Sequence, residues 1–139
     1  MSKAFTREDD DAPERPARRL GVPVPVPNPV TAAGLRTLRA ELDAGPSEDR
    51  ARELAEHLAT ATAVEPVARD TVGFGATVTV ADADGTQRSY RIVGAIEAAP
   101  RDGAINWQSP VARALLDARV GDTVTLPRGD VVIRSITSA

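Results

Sequence analysis

His57 is the only histidine of the chain and the side chain best suited to acid–base chemistry. Histidine exchanges protons near neutral pH, so this residue could act as a general base or a metal ligand. The sequence offers no second histidine and no cysteine to share a metal with it. His57 lies between Glu56 and Leu58 in a stretch with helical periodicity. That setting favours a surface or boundary position over a reactive one.

A second candidate is the glycine-containing stretch Gly73-Phe74-Gly75, which has the small residues of a phosphate-binding loop. Such loops hold the anion at the N-terminus of a following helix. Here a strand pattern follows instead, so the stretch offers no helix N-terminus. We therefore predict a turn that starts a sheet.

The bulk composition excludes several other classes of protein. The 139 residues are 42% hydrophobic but only 3% aromatic, which permits one modest domain with a small appendage. The net charge of −3 argues against stable direct DNA binding, which usually needs a basic surface. The absence of cysteine excludes disulfides and zinc–thiolate sites and fits a reducing cytoplasm. A charged N-terminus and the lack of a long apolar run predict a cytoplasmic protein without membrane contact.

The first region, residues 1–30, is predicted to be a disordered or extended tail. Residues 1–19 are mostly polar and charged, which disfavours a packed structure. Residues 22–30 alternate valine with proline, a pattern typical of an extended polyproline strap.

The second region, residues 31–64, is predicted to be a short antiparallel helical hairpin. Thr31 is a candidate N-cap, and Ser47 is a candidate cap for a second helix. Gly45-Pro46 should end the first helix. Leucines recur at helical spacing on both sides of this turn, at positions 35, 38, 42, 54 and 58.

The third region, residues 65–139, is predicted to be an antiparallel sheet with one helix. Residues 76–80 alternate as a half-buried strand should, and Asp84-Gly85 indicates a hairpin turn. Residues 89–95 and 104–107 give further strand patterns, and Pro110 behind Ser109 indicates a helix start. The predicted fold class is therefore α+β.

Several stretches of this third region, taken in order, resemble the C-terminal domain of the Gre family of bacterial transcript cleavage factors. The matching stretches are VGFGATV (72–78), YRIVG (90–94), SPVARALL (109–116) and VGDTV (120–124). The start MSKAFTRE (1–8) resembles the GreB branch, and TAAGLRTLRAEL (31–42) resembles the start of the family's first long helix.

The resemblance implies a coiled-coil hairpin followed by an FKBP-like C-terminal domain. That domain would dock at the rim of the secondary channel of bacterial RNA polymerase. In the family the long hairpin enters the channel, and two acidic residues at its tip help to hold a catalytic magnesium ion. Carboxylates are the hard oxygen ligands that magnesium prefers.

The hairpin departs from that pattern, because the family's acidic tip motif is missing and both helices are short. Asp43, Glu48 and Asp49 are the only carboxylates near the predicted tip. They are either displaced magnesium ligands or ordinary surface and helix-start residues. We favour the second interpretation, since an arm of roughly 20 Å stops well short of the active site.

The segment Trp107-Gln108-Ser109-Pro110, with Arg113, is the predicted polymerase-docking site. In the family an Asp-Ser-Pro loop contacts the rim, and this chain has Gln108 in place of the acid. Trp107 suits either the core or an interface, where aromatic anchors are favoured. Arg113 suits an exposed helix position or a salt bridge with polymerase or within the chain.

These features predict a monomeric regulator that is not itself an enzyme, needs no cofactor or metal, and competes with full-length Gre factors at the channel. Two alternatives stay open. An active cleavage factor would use Asp43, Glu48 and Asp49 to rescue backtracked polymerase. An interaction module would bind a different target, since fold does not fix function.

Overall fold

The computed structural model describes residues 22–67 and 69–138. The helices are α1 (Ala32–Asp43), α2 (Glu48–Thr60) and α3 (Pro110–Leu115). The strands are β1 (Pro29–Thr31), β2 (Thr62–Val64), β3 (Thr77–Asp82), β4 (Gln87–Val93), β5 (Ala104–Asn106), β6 (Thr123–Leu126) and β7 (Gly129–Thr137). Two short 3-10 helices, Ala95–Glu97 and Pro100–Asp102, connect β4 to β5. The predicted α+β class is confirmed.

The helical hairpin forms where the caps predicted it. The Thr31 hydroxyl accepts a hydrogen bond from the Gly34 amide at 3.0 Å, and Ser47 accepts one from the Arg50 amide at 3.2 Å. These bonds satisfy amides that a helix start leaves without a partner. Gly45 has a φ of 77°, which lets the chain turn after α1. The helices have 12 and 13 residues and are therefore roughly 18–20 Å long.

Leucines on the facing sides of α1 and α2 build a small core of their own. Leu38 and Leu54 are buried in it, together with Val30 and Ile96. Leu35, Leu42, Leu58 and Ala61 pack around them. This cluster takes one residue from the strap and one from the loop after β4, so the hairpin is attached to the rest of the chain at its base.

The proline-rich strap lies along α2 rather than away from it. The amide of Val22 donates to Glu53 at 3.1 Å, and the Asn28 side chain donates to the His57 carbonyl at 2.9 Å. β1 then pairs in parallel with β2, with Thr31 opposite Val64. Residues 1–21, which include the predicted charged tail and the GreB-like start, lie outside the described residues. The division at residues 30/31 and 64/65 stays a prediction.

The main sheet has five strands in the order β5-β4-β3-β7-β6. Three of its neighbouring pairs are antiparallel, as predicted, but β4 and β5 run parallel. The prediction of a purely antiparallel sheet is wrong at this pair. The turn at Gly103 exists, but the two 3-10 helices before it first carry the chain back along the sheet. The chain therefore enters β5 in the same direction as β4.

The main core lies between one face of this sheet and α3. Ile92, Ala112 and Leu115 are fully enclosed there. Val72, Val78, Val80 and Ile133 belong to the same cluster. Aliphatic side chains thus supply nearly all of the buried volume, in agreement with the low aromatic content. Across the described residues 22–67 and 69–138, no helix has the length and apolar character needed to cross a membrane.

Candidate functional site

The segment that follows β5 is held rigidly against the sheet. The Trp107 amide donates to the Val93 carbonyl at 2.9 Å. The Asn106 side chain accepts from the Gln108 amide at 2.9 Å, and the Asn106 carbonyl accepts from the Ser109 amide at 2.9 Å. Such local bonds fix a tight turn. The turn therefore presents residues 107–110 in one defined conformation.

The start of α3 carries the exposed part of this segment. The Ser109 hydroxyl caps the helix by accepting from the Ala112 amide at 3.2 Å, and Pro110 occupies the first helical turn. Pro110 and Arg113 are both exposed. Since residues three apart share a helix face, these two side chains form one accessible surface beside the turn.

Trp107 is half-buried and packs against the main core. Its indole Nε1 is enclosed and has no hydrogen-bond acceptor within the described part of the chain. A buried donor without a partner costs free energy. The ring thus packs against the main core and is partly exposed beside the turn.

Three carboxylates lie at the hairpin tip, but they do not form a metal-binding cluster. Asp43 ends α1, and Glu48 and Asp49 form the first turn of α2. All three are exposed, and Asp49 pairs with Arg52 at 3.1 Å. Over residues 22–67 and 69–138, no cluster of three or more histidine, cysteine or acidic residues could hold a metal ion.

His57 corrects the sequence interpretation, because it is completely buried rather than at the surface or boundary. Its Nε2 lies 2.7 Å from the Val22 carbonyl. A carbonyl can only accept, so Nε2 carries the proton and donates. The leucine stripe of α2 correctly marks one buried face. His57 lies three residues after Leu54, at the edge of that same face, and the strap covers it there. The helical period of α2 does not indicate this cover.

The stretch Gly73-Phe74-Gly75 forms the predicted turn before the sheet. The Gly75 amide donates to the Ile92 carbonyl at 2.7 Å, and the Ala76 amide donates to Gly73. Gly75 has a φ of 84°, which favours glycine. The Gly75 amide thus joins this turn to β4.

Glu97 is a residue that sequence reasoning missed. Its carboxylate accepts from the Thr31 amide at 2.8 Å, from the Thr31 hydroxyl, and from the Gly94 amide at 2.8 Å. The bond to Gly94, three residues earlier, is a local signal of the capping-box type. The bonds to Thr31 span a sequence separation of 66 residues, and no local pattern reveals them.

A cross-helix ion pair holds the hairpin closed near its tip. The Arg50 guanidinium donates to both carboxylate oxygens of Glu41, at 2.7 and 3.0 Å, and to Glu53 at 2.7 Å. The hydrogen bonds that Arg50 donates to Glu41 lower the pKa of Glu41. The same bonds, together with the one that Glu53 accepts, raise the pKa of Arg50. The pairs are about one-third exposed at Arg50 and Glu41, so water weakens them.

Comparison with known proteins gives a family for part of the chain. The sequence model of the family "Transcription elongation factor, GreA/GreB, C-term" matches residues 67–137, just over half of the chain. The chain therefore belongs to the GreA/GreB family of transcription elongation factors. The matched residues include the five-stranded sheet, α3 and the 107–110 turn.

Individual relatives show the same likeness over part of their length. Transcription elongation factor GreA of Maricaulis maris is 44% identical over 87 residues, which cover 59% of this chain and 55% of that protein. GreA of Thermomicrobium roseum is 43% identical over 94 residues, covering 64% and 60%. The chain thus spans little more than half the length of the curated relatives it matches.

Among solved structures, the crystal structure of GreA factor homolog 1 (Gfh1) of Thermus thermophilus covers 80% of this chain and 99% of its own. Its TM-score is 0.46 at 21% sequence identity. The GreA/GreB factor from Nitrosomonas europaea gives a TM-score of 0.45 at 22% identity, covering 79% of this chain and 97% of its own.

Proposed function

We propose that this protein docks on bacterial RNA polymerase at the rim of the secondary channel, through Trp107, Gln108, Ser109, Pro110 and Arg113. Membership of the GreA/GreB family carries this proposal, because residues 67–137 match it and contain the whole segment. The rigid turn supports the proposal, since a surface ordered before binding loses little conformational entropy on docking. The FKBP-like label for this domain belongs to the same proposal.

The hairpin is proposed to occupy only the mouth of the channel. At roughly 18–20 Å, its helices of 12 and 13 residues are much shorter than the hairpin that the family resemblance implies. Asp43, Glu48 and Asp49 are exposed and, over residues 22–67 and 69–138, belong to no group of three or more side chains that could hold a metal ion. A carboxylate must touch a magnesium ion to help hold it.

The protein would then be a non-cleaving regulator rather than an enzyme, acting as a monomer and without a cofactor of its own. By occupying the rim it would exclude full-length Gre factors, which use the same docking mode. The effect on transcription would follow from that competition.

A binding measurement tests the docking surface. We expect the full chain to co-elute with the core polymerase of its own bacterium at micromolar concentration. Trp107→Ala should weaken binding about thirtyfold or more, because truncating an interface hot spot commonly costs about 2 kcal/mol or more. Arg113→Ala should weaken it less, and Arg134→Ala, an exposed arginine on β7, serves as the matched control. Absence of co-elution, or equal binding by all variants, would contradict docking through this segment.

A cleavage measurement tests the role of the hairpin. Added to backtracked elongation complexes, the protein should release no short 3′ RNA fragments and should suppress fragments released by a full-length Gre factor. Fragments released by the unmutated protein, and lost when Asp43, Glu48 and Asp49 are all changed to alanine, would establish an active cleavage factor instead. Capture of a different protein with no polymerase binding would establish an interaction module.

A further inference from the structure

Glu97 lies where the hairpin meets the sheet domain, and its half-buried carboxylate is fully engaged. Oε2 accepts from the amides of Thr31 and Gly94, each at 2.8 Å. Oε1 accepts from the Thr31 hydroxyl. Within residues 22–67 and 69–138, no lysine or arginine forms a salt bridge with Glu97. The carboxylate is thus held by backbone and hydroxyl donors of fixed direction.

Thr31 connects this carboxylate to two parts of the hairpin, the β1–β2 pair and helix α1. It ends β1 opposite Val64, it caps α1 by accepting from the Gly34 amide, and its own hydroxyl proton goes to Glu97. The resulting relay runs from Gly34 through Thr31 to Glu97. A carboxylate at a helix N-terminus is also stabilised by the helix dipole.

Two glycines make room for this contact. A Cβ placed on Gly34 would overlap the Glu97 carboxylate, and a Cβ placed on Gly94 would overlap the Pro29 carbonyl. Neither glycine has a positive φ, so the close approach, not the backbone conformation, excludes a side chain. The backbone of the first turn of α1 therefore packs directly against the Glu97 side chain, and the loop after β4 packs directly against the backbone of β1.

The same loop leads directly to the proposed docking segment. The Val93 carbonyl accepts from the Trp107 amide at 2.9 Å, and the next residue, Gly94, donates to Glu97. We infer that Glu97 is a positioning residue that fixes the direction in which the hairpin leaves the docking surface. The functional value of that direction rests on the proposed function, whereas the geometry does not.

Distance measurement between spin labels tests this inference on the full chain in the absence of polymerase. The protein has no native cysteine, so Arg39→Cys on α1 and Thr123→Cys on β6, both at exposed positions, accept labels cleanly. The otherwise unmutated pair should give one narrow distance distribution. Glu97→Ala should lose that single distance, because it leaves the Thr31 and Gly94 amides without their acceptor.

Matched variants separate direction from folding. Gly34→Ala keeps the Glu97 side chain, but the added methyl group would occupy the position of its carboxylate. This variant should therefore also lose the single distance. Thr31→Val removes the hydroxyl and should also lose the single distance. Thr31→Ser keeps the hydroxyl and should retain the single distance. Glu56→Gln changes an exposed glutamate of α2 and should leave the distribution unchanged.

Two results would overturn the inference. One is a single narrow distance retained by folded Glu97→Ala and Gly34→Ala proteins. The other is loss of helical circular dichroism in those variants with an intact sheet, because Glu97 would then be needed for folding rather than direction. Loss of the distance in a protein that never binds polymerase would leave the positioning role standing and refute the proposed function alone.

Discussion

Caps and turns of the same kinds shape the sheet domain and the helical hairpin, but only the sheet domain lies within the part of the chain that matches the family. The five-stranded sheet, α3 and the 107–110 turn lie within the matched residues 67–137, whereas both helices of the hairpin precede them. Each region has its own buried cluster. Under the proposed function, attachment to the polymerase and reach into its channel would be carried by separate parts of the chain.

The largest expected effect comes from removing one leucine from each cluster. Leu115 and Leu54 are both fully buried, so each change to alanine should lower the free energy of unfolding by about 2–5 kcal/mol. Leu115→Ala should shift the melting followed by Trp107 fluorescence, because both residues belong to the main core. Leu54→Ala should mainly shift the melting followed by helical circular dichroism. Identical shifts of both signals in Leu54→Ala would mean that the two regions unfold as one.

A smaller effect is expected from removing the helix caps. Ser109→Ala and Ser47→Ala should each cost about 1 kcal/mol, because each leaves a first-turn amide without its acceptor. Only Ser109→Ala should also weaken polymerase binding, since Ser109 starts the helix that presents Pro110. Thermal unfolding and the co-elution assay measure the two effects. Ser135→Ala, exposed on β7, is the control, and equal weakening by both cap variants would contradict the separation of attachment from reach.

The smallest effect is a pH dependence confined to the hairpin. The hydrogen bonds from Arg50 hold the pKa of Glu41 below its ordinary value of 4.5. Because the pKa is lower in the folded state, the stabilisation is present above about pH 4.5 and is lost as the pH falls through the folded-state value. The raised pKa of Arg50 acts only at strongly alkaline pH. The pair should contribute no more than about 1 kcal/mol, since it is partly exposed.

Helix unfolding measured from pH 7 to pH 3 checks this dependence. The stability difference between the unmutated protein and Glu41→Gln should shrink as the pH falls below about 4.5. Glu56→Gln, with an exposed glutamate, should give a difference that is small at every pH. A constant difference for Glu41→Gln would show that the ion pair does not stabilise the hairpin.

Local chemistry made much of this fold predictable from the sequence. Thr31, Ser47 and Ser109 cap the three helices as expected, because a cap acts on amides within three residues. Gly45 ends α1 as expected, and the strand patterns place most of the sheet. At the proposed docking segment, the sequence predicted the helix start at Ser109 and Pro110, and the family resemblance implied the loop before it.

The features that sequence reasoning missed depend on contacts between distant residues. His57 is buried by a strap that is 35 residues away in sequence, and Glu97 bonds to Thr31 across 66 residues. The parallel pairing of β4 with β5 depends on the path of the 3-10 helices between them. None of these contacts leaves a periodic pattern, so only the folded chain reveals them.

The pairing of β1 with β2 has a consequence for how hairpins of different length suit one domain. Thr31, the N-cap of α1, lies opposite Val64, which comes four residues after the end of α2. Lengthening or shortening both helices by the same number of residues would therefore leave the β1–β2 pair at their base unchanged. A longer hairpin grafted between these two residues would therefore project from the same strand pair.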